Sequence, residues 1–161
     1  MSINAAQPAI NTLLKFGDQA SPEAFNTVAN IGDYNEILSM SADKVDVTSH
    51  STGVPWSQNI PTLLNGGQVT FPLFFIPSSG AASGGVIGHN FTAGIGKYFK
   101  NRGSSSTQPG TAINMQVVFP DAAATTYSFS GFIYDFKMKA PVKGVLTAEI
   151  TIGVTSAPTL V

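Results

Sequence analysis

The sequence contains no cysteine and few charged residues. Without cysteine, neither a disulfide framework nor a thiolate-bound metal site is possible. Asp, Glu, Lys and Arg make up 11% of the 161 residues, against roughly 25% in typical globular chains. The formal net charge is −1, which is unlike the basic stripe of a dedicated nucleic-acid-binding protein. A surface with so few charges indicates that part of it is covered by partners.

Long hydrophobic runs are also missing. The longest, residues 71–76, contains a proline and is far shorter than the roughly 20 residues that cross a membrane as a helix. The N-terminus lacks a basic stretch followed by a long apolar segment, so no secretory signal is evident. We expect a chain that does not insert into a membrane and is made in a cytoplasm. Its length predicts a single domain over residues 1–161, with a flexible N-terminal arm at about residues 1–9.

Motifs that would carry catalysis are not found. The two histidines, His50 and His89, stand outside any metal-binding spacing, and His50 reads most simply as a hydrogen-bonding loop residue. Asp43 and Asp46 fit a turn and the polar face of a strand better than acid–base chemistry. The glycines of residues 94–97 lack the leading glycine of a phosphate-binding loop. We therefore assign no catalytic residue, cofactor-binding residue or metal ligand, and expect a protein that is not an enzyme.

What the sequence does contain is a repeated alternation of apolar and polar residues, which predicts a mainly β fold. Ser21 and Pro22 could begin a helix, but the weak helix formers in residues 25–31 make a strand at least as favourable. A change of phase within the longest pattern predicts a β-bulge at Ser130 and Gly131. The predicted strands cover residues 10–16 (at a sheet edge), 37–40, 44–49 (with Val45 and Val47 inward), 68–76, 113–119, 126–138 and 146–154.

The strand at residues 68–76 is apolar on both faces. Its odd-numbered residues, from Val69 to Phe75, share one face, while Pro72, Phe74 and Ile76 lie on the other. A strand of this kind needs cover on both sides. The proline cannot donate to a ladder, so it indicates an edge or a bulge.

One segment shows helical periodicity. Apolar residues from Phe91 to Phe99 recur on one side of a helix, Asn90 can cap its start and Gly103 can end it. The pattern predicts one flanking helix at about residues 90–102.

Residues 50–67 are predicted to form a long loop. It exceeds the roughly 12–15 residues that structureless connections usually reach. Because it carries Trp56 and other large apolar residues, it should dock against its own domain or another molecule.

Several sequence blocks follow one another in a fixed order. They are LSMSADKVDVTSHST (38–52), Trp56, IPTLLNGGQVTF (60–71), VVFPD (117–121), FSGFIYDF (129–136) and APVKGVLTAEITI (140–152). Together, and over nearly the whole chain from about Asp33 onward, these blocks resemble the tail tube proteins of long-tailed, non-contractile (siphovirus-type) bacteriophages.

The resemblance implies a β-sandwich or barrel-like tail-tube domain with one flanking helix. It further implies a virion tail protein, assembled in the host cytoplasm, whose hexameric rings stack into a hollow tube that conducts viral DNA into the host cell. DNA would pass through the lumen without specific binding. Other partners implied are the tape measure, tail tip and tail terminator proteins.

Within this interpretation the loop at 50–67 would contact the next ring. The expected contact residues between rings or subunits are Val54, Trp56, Ile60, Leu63, Leu64 and Phe74. Two alternatives stay open at this point: a carbohydrate-binding or adhesive β-sandwich in which Trp56 stacks on a sugar, and an inner tube subunit of a contractile or secretion-type apparatus.

Overall fold

The computed structural model describes residues 11–33, 37, 39–48, 57–80, 83–100 and 112–161. Within these ranges the chain forms ten strands and one short helix, which confirms the mainly β prediction. The elements are β1 (Leu13–Gly17), β2 (Phe25–Val28), β3 (Ser41–Asp46), β4 (Asn59–Asn65), β5 (Gln68–Phe74), β6 (Val86–Ile87), α1 (Gly96–Lys100), β7 (Ile113–Val118), β8 (Thr126–Lys139), β9 (Thr147–Val154) and β10 (Thr159–Leu160).

Eight strands form one strongly curved sheet. Their order is β5-β9-β8-β7-β1-β2-β6, and β10 pairs with the first part of β8. The segment after β2 returns to the outer edge of β5, where the Gly32 N–H donates to the Pro72 carbonyl (2.8 Å) and the Phe74 N–H to the Asn30 carbonyl (2.9 Å). These bonds bring the two ends of the sheet together. The fold is therefore of the sandwich- or barrel-like kind that was predicted.

The core lies inside this curved sheet and follows the predicted alternation. Val69, Phe71 and Leu73 of β5 are buried, and so are Ile150 and Ile152 of the neighbouring β9. Both strands therefore turn one face inward. Removal of these side chains from water is the main stabilising contribution. The edge position indicated by Pro72 is also confirmed, since β5 ends the sheet order.

Two predictions in the main sheet are wrong in detail. β1 does not lie at an edge, because it pairs with β2 on one side and β7 on the other. The irregularity in β8 falls between Ile133 and Asp135 rather than at residues 130–131. Phe129, Gly131 and Ile133 alternate in phase and are buried. Residue 131 is a glycine where the Gly153 carbonyl approaches, since a Cβ there would lie 2.6 Å from that oxygen. At residues 25–31 the strand alternative is the correct one.

The predicted helix at 90–102 is shortened to α1, residues 96–100. The Asn90 side chain accepts hydrogen bonds from the N–H groups of Thr92, Ala93 and Gly94 (3.1, 2.8 and 2.9 Å), which hold the preceding residues in a tight turn. A Cβ on Gly94 would lie 2.6 Å from the Asn90 nitrogen. The glycines thus serve close backbone packing instead of helix.

The predicted loop at 50–67 is in part a strand. Residues 59–65 form β4, which pairs with β3, and β3 begins at Ser41, inside a segment expected to be a connection. Val45 and Val47, expected to point inward, are both exposed. The alternation correctly indicated a strand, but β3 and β4 form a separate two-stranded sheet, of which only the base, within the described ranges, faces the segment after β9. Residues 49–56 lie outside the described residues.

Candidate assembly surfaces

The hairpin (β3 and β4) is the first candidate surface. It forms a two-stranded sheet of its own, and every residue of both strands is exposed. Val45 pairs with Ile60, so these two side chains lie together on one face. Leu64 pairs with Ala42, which lies on the opposite face of β3, because the register shifts by one residue between the two pairs. Leu64 is 86% exposed. The hairpin therefore presents apolar side chains on both faces.

Gly67 fixes the base of the hairpin. Its N–H donates to the Asn65 side chain (2.8 Å), and its carbonyl accepts from the Val154 N–H (3.0 Å) at the end of β9. Its φ is +71°, and a Cβ at this position would lie 1.2 Å from the Ser39 carbonyl oxygen. The chain thus enters and leaves the hairpin at one point, beside the first residue of β5.

Side-chain hydrogen bonds join the strand ends of the hairpin that lie farthest from Gly67. The Thr48 N–H donates to the Asp46 carboxylate (2.8 Å), and the Gln58 N–H donates to the Thr48 hydroxyl (2.8 Å). The bonds from Thr48 lower the pKa of the Asp46 carboxyl, which stays charged and exposed. The two strands are therefore ordered beyond their ladder, although no other described element covers them.

A second exposed apolar surface lies at the opposite end of β5, and we call Phe74, Ile76 and Val145 the distal patch. Phe74 pairs with Thr147, and the ladder continues one step because the Phe75 N–H donates to the Leu146 carbonyl (2.9 Å). Alternation then places the three distal-patch side chains on the face away from the core, where all are exposed. At about 3.3 Å per residue, the seven-residue β5 separates the patch from the hairpin base by roughly 20 Å.

The two surfaces differ in the sign of their net charge, although one acidic residue, Glu149, lies on the face of Phe74, where it pairs with Pro72 and Lys137. Asp43 and Asp46 outnumber Lys44 on the hairpin. Beside the distal patch, Lys139 pairs with the same Thr147 as Phe74 does, and Lys143 follows in the turn. A neighbouring lysine, Lys137, is already engaged, because its ammonium lies 2.6 Å from the Asp135 carboxylate; this bond raises the pKa of Lys137.

His89 is fully buried and holds three segments together. Its Nε2–H donates to the Ala29 carbonyl (2.7 Å) after β2, and its Nδ1 accepts from the Ile76 N–H (3.1 Å) after β5. The ring stacks on Phe75 with 6.0 Å between centroids. Burial lowers its pKa, so the neutral ring acts as a structural link. His50 lies outside the described residues.

Metal clusters and membrane-spanning helices are not found in the described part of the chain. No group of three or more His, Cys, Asp or Glu side chains there could hold a metal ion. Across the same residues, no helix has the length and apolarity needed to cross a membrane.

The predicted contact residues fall into two groups that the structure keeps apart. Ile60, Leu63 and Leu64 lie on β4, whereas Phe74 lies at the far end of β5. Val54 and Trp56 lie outside the described residues. The sequence analysis missed Ile76 and Val145 as members of the second group. The predicted alternation already placed Ile76 on the face of Phe74, and continuing the predicted strand at 146–154 by one residue would have added Val145.

Comparisons with known proteins identify the fold. No protein-family model matches the chain, and no curated protein does. Among solved structures, a chain in the tail of an empty gene transfer agent particle, computed with helical refinement and C6 symmetry, has a TM-score of 0.67 at 16% identity, covering 97% of this chain and 99% of that one. A chain in the virion of a native gene transfer agent gives 0.65 at 16% identity, with the same coverage.

A chain in the six-fold symmetrised baseplate of the anti-feeding prophage gives a TM-score of 0.63 at 11% identity, covering 98% of this chain and 97% of that one. At such low identity the likeness defines the fold. The chain has the fold of subunits found in phage-like tail and baseplate particles. The neighbouring particles include six-fold symmetric assemblies.

Proposed function

We propose that this chain is the repeating structural subunit of a phage tail tube, of the long non-contractile type, and is not an enzyme. Hexameric rings of the chain would stack into a hollow tube through which viral DNA passes. One observation carries the proposal: the fold matches subunits of tail particles over nearly the full length of both chains, including a tail with C6 symmetry. Because the match covers nearly all of both chains, this chain is similar to the whole subunit and not only to a part of it.

The exposed surface supports this proposal on physical grounds. A monomer that left the hairpin and the distal patch in water would expose large apolar side chains at two places, and grouped exposed apolar side chains are typical of an interaction site. Leu63 and Leu64 are exposed in the single subunit. If a neighbouring subunit covers them, apolar area is removed from water and the assembly is stabilised. Assembly would cover these exposed apolar side chains, and the hairpin would contact the adjacent ring.

The charge balance also fits passage of DNA. With 8 Lys and Arg against 9 Asp and Glu, the chain lacks the excess of cations that would neutralise phosphates and bind the duplex. A lumen built from such subunits would let DNA slide rather than hold it.

Electron microscopy of the purified full chain tests the proposal. We expect six-membered rings or uniform tubes at high protein concentration. A chain that stays monomeric across concentration, salt and pH would overturn it.

A hairpin deletion tests the role of that element. Because the Ser39 carbonyl lies against Gly67, residues 40–66 can be replaced by two glycines without stretching the chain. We expect this variant to keep the main sheet and form rings, but not to form tubes. A matched control replaces the exposed turn residues 122–124 by glycines and should form tubes normally. Normal tubes from the deletion variant would remove the hairpin from the ring-to-ring contact.

A further inference from the structure

We propose that the distal patch is the surface that receives the hairpin of a second copy of this chain, so that copies join head to tail. The inference rests on the proposed function and specifies its contact between rings: the hairpin of one subunit would lie on Phe74, Ile76 and Val145 of the next.

The geometry of β5 makes the two surfaces suitable for repeated stacking. A polymer that grows without limit needs two different, complementary surfaces at opposite ends of the subunit. The base of the hairpin lies at Gly67, just before β5, and the distal patch includes Phe74, the last residue of β5. A single self-complementary surface would instead close the assembly as a pair.

The chemistry of the two surfaces is complementary. The hairpin offers Val45, Ile60 and Leu64, and the patch offers an aromatic and two aliphatic side chains, all exposed in the single subunit. Contact would therefore remove apolar area from water on both sides. A thin hairpin with apolar groups on both faces suits a position where it is covered from two sides.

Charge points to the same pairing. The hairpin carries Asp43 and Asp46 against Lys44, while Lys139 and Lys143 outnumber Glu149 beside the patch. Opposite charges at the rim of an apolar contact orient the partners and disfavour pairing of two like surfaces. Two hairpins, or two distal patches, would bring charges of the same sign together. A second copy of this chain carries the matching surface. Each copy supplies one hairpin and one distal patch, so the two surfaces occur in equal numbers.

A mixing experiment tests the pairing. One full-length variant carries Ile60→Asp and Leu64→Asp on the hairpin, and the other carries Phe74→Asp and Val145→Asp on the patch. All four side chains are exposed, so folding should survive, and circular dichroism and thermal melting verify this. A matched control carries Leu13→Asp and Leu160→Asp, two exposed leucines outside both surfaces.

We expect each test variant alone to form no tubes, because a carboxylate in an apolar contact loses its hydration without gaining a partner. Mixed together, the two variants should form short two-layer complexes, since the patch of the first variant and the hairpin of the second remain intact. Sedimentation velocity and electron microscopy measure these species. The control should form tubes of ordinary length.

Other outcomes separate the inference from the proposed function. If the wild type forms tubes and the patch variant does too, the receiving surface is elsewhere and only the inference fails. If either variant alone gives pairs of rings while the mixture adds nothing, the surfaces pair with themselves, which also overturns it. If the wild type forms neither rings nor tubes, the proposed function fails and the inference with it.

Discussion

Gly67 shows how one residue can position an entire surface. Its positive φ turns the chain from β4 into β5, and its missing side chain leaves room for the Ser39 carbonyl. In the sequence it is the second of two adjacent glycines inside a predicted loop. Adjacent glycines predict a turn, but only the fold reveals that two distant segments meet there.

Replacement of Gly67 by alanine should weaken the base of the hairpin. The matched control is Gly84→Ala, because Gly84 also has a positive φ (+59°) but a Cβ added there would have no atom within 4 Å. The control should cost roughly 1–2 kcal/mol, the usual penalty for a left-handed L-residue. Gly67→Ala should cost clearly more, since it adds a clash with a carbonyl. Urea unfolding of both variants measures the difference; equal costs would mean that the Ser39 contact is unimportant.

His89 predicts how stability depends on pH. Burial lowers its folded pKa below the ordinary value of about 6.5. The unfolded chain therefore takes up a proton at a higher pH than the folded chain does, and the free energy of unfolding should fall as the pH drops below about 6.5. Above that value the link through Nδ1 to the Ile76 N–H is intact.

The measurement is the melting temperature between pH 8 and pH 5. Hydrogen bonds lower the pKa of Asp18, Asp46 and Asp121, so these carboxylates lose their contribution only below about pH 4. His89→Gln can keep one acceptor and one donor, and its melting temperature should be lower at pH 8 but depend less on pH. A pH dependence identical to that of the wild type would exclude His89 as its source.

At the scale of elements, alternation predicted the strands that bury one face. β5, β7 and β9 follow the pattern because Leu73, Met115 and Ile150 on these strands meet the core. The same reasoning failed for the hairpin, where alternation identified a strand but gave the wrong environment. Periodicity reports which side chains share a face, and it cannot tell a face covered by the same chain from one that is exposed.

The helix prediction failed in part for a related reason. The spacing of Phe91, Ile95 and Phe99 fits a helix, yet Gly94 and Gly96 are buried against the backbone of residues 88–90. The ring of Phe91 still packs on Phe136, with 5.0 Å between centroids. The predicted apolar contact of Phe91 is therefore present, but the first part of the predicted helix is a tight turn instead, because the backbone packs closely there.

A pair of leucines tests this distinction between covered and uncovered strands. Leu64 on β4 is 86% exposed, whereas Leu73 on β5 is 1% exposed. In the monomer, Leu64→Ala should change the free energy of unfolding by no more than about 0.5 kcal/mol. Leu73→Ala should cost roughly 2–5 kcal/mol, because it leaves a cavity in the core. Denaturant unfolding at low protein concentration measures both; a large cost at Leu64 would show that the hairpin packs on its own domain.

At the scale of the whole molecule, the fold class was predictable from sequence but the distribution of its surfaces was not. The predicted contact set included residues from both ends of β5, namely Leu64 and Phe74, without a reason to separate them. The length of β5 sets their separation, and the predicted strand at residues 68–76 already contained it. Residue spacing did not encode that β4 pairs with β3 in a separate sheet, because strand pairing joins residues that are distant in the sequence.

The opposite charges of the two surfaces predict a dependence of assembly on salt. Lys139→Glu with Lys143→Glu should weaken tube formation at low ionic strength, because the patch would then face Asp43 and Asp46 with like charge. Each exposed pair contributes only about 0–1 kcal/mol, but the contact repeats around every ring. At about 1 M salt the screening length falls to roughly 3 Å, so the difference from the wild type should largely vanish.

The decisive measurement combines this variant with a change on the hairpin. Adding Asp43→Lys to the lysine-reversed patch restores opposite signs, so tube length at low salt, followed by light scattering and electron microscopy, should partly recover. Lys15→Glu, on β1 and outside both surfaces, controls for a simple change in net charge and should have little effect. Recovery requires that the two altered charges approach one another in the assembly, and they lie near opposite ends of β5 in one subunit. Failure of the hairpin change to rescue the patch variant would therefore argue that these charges do not meet across the contact between copies.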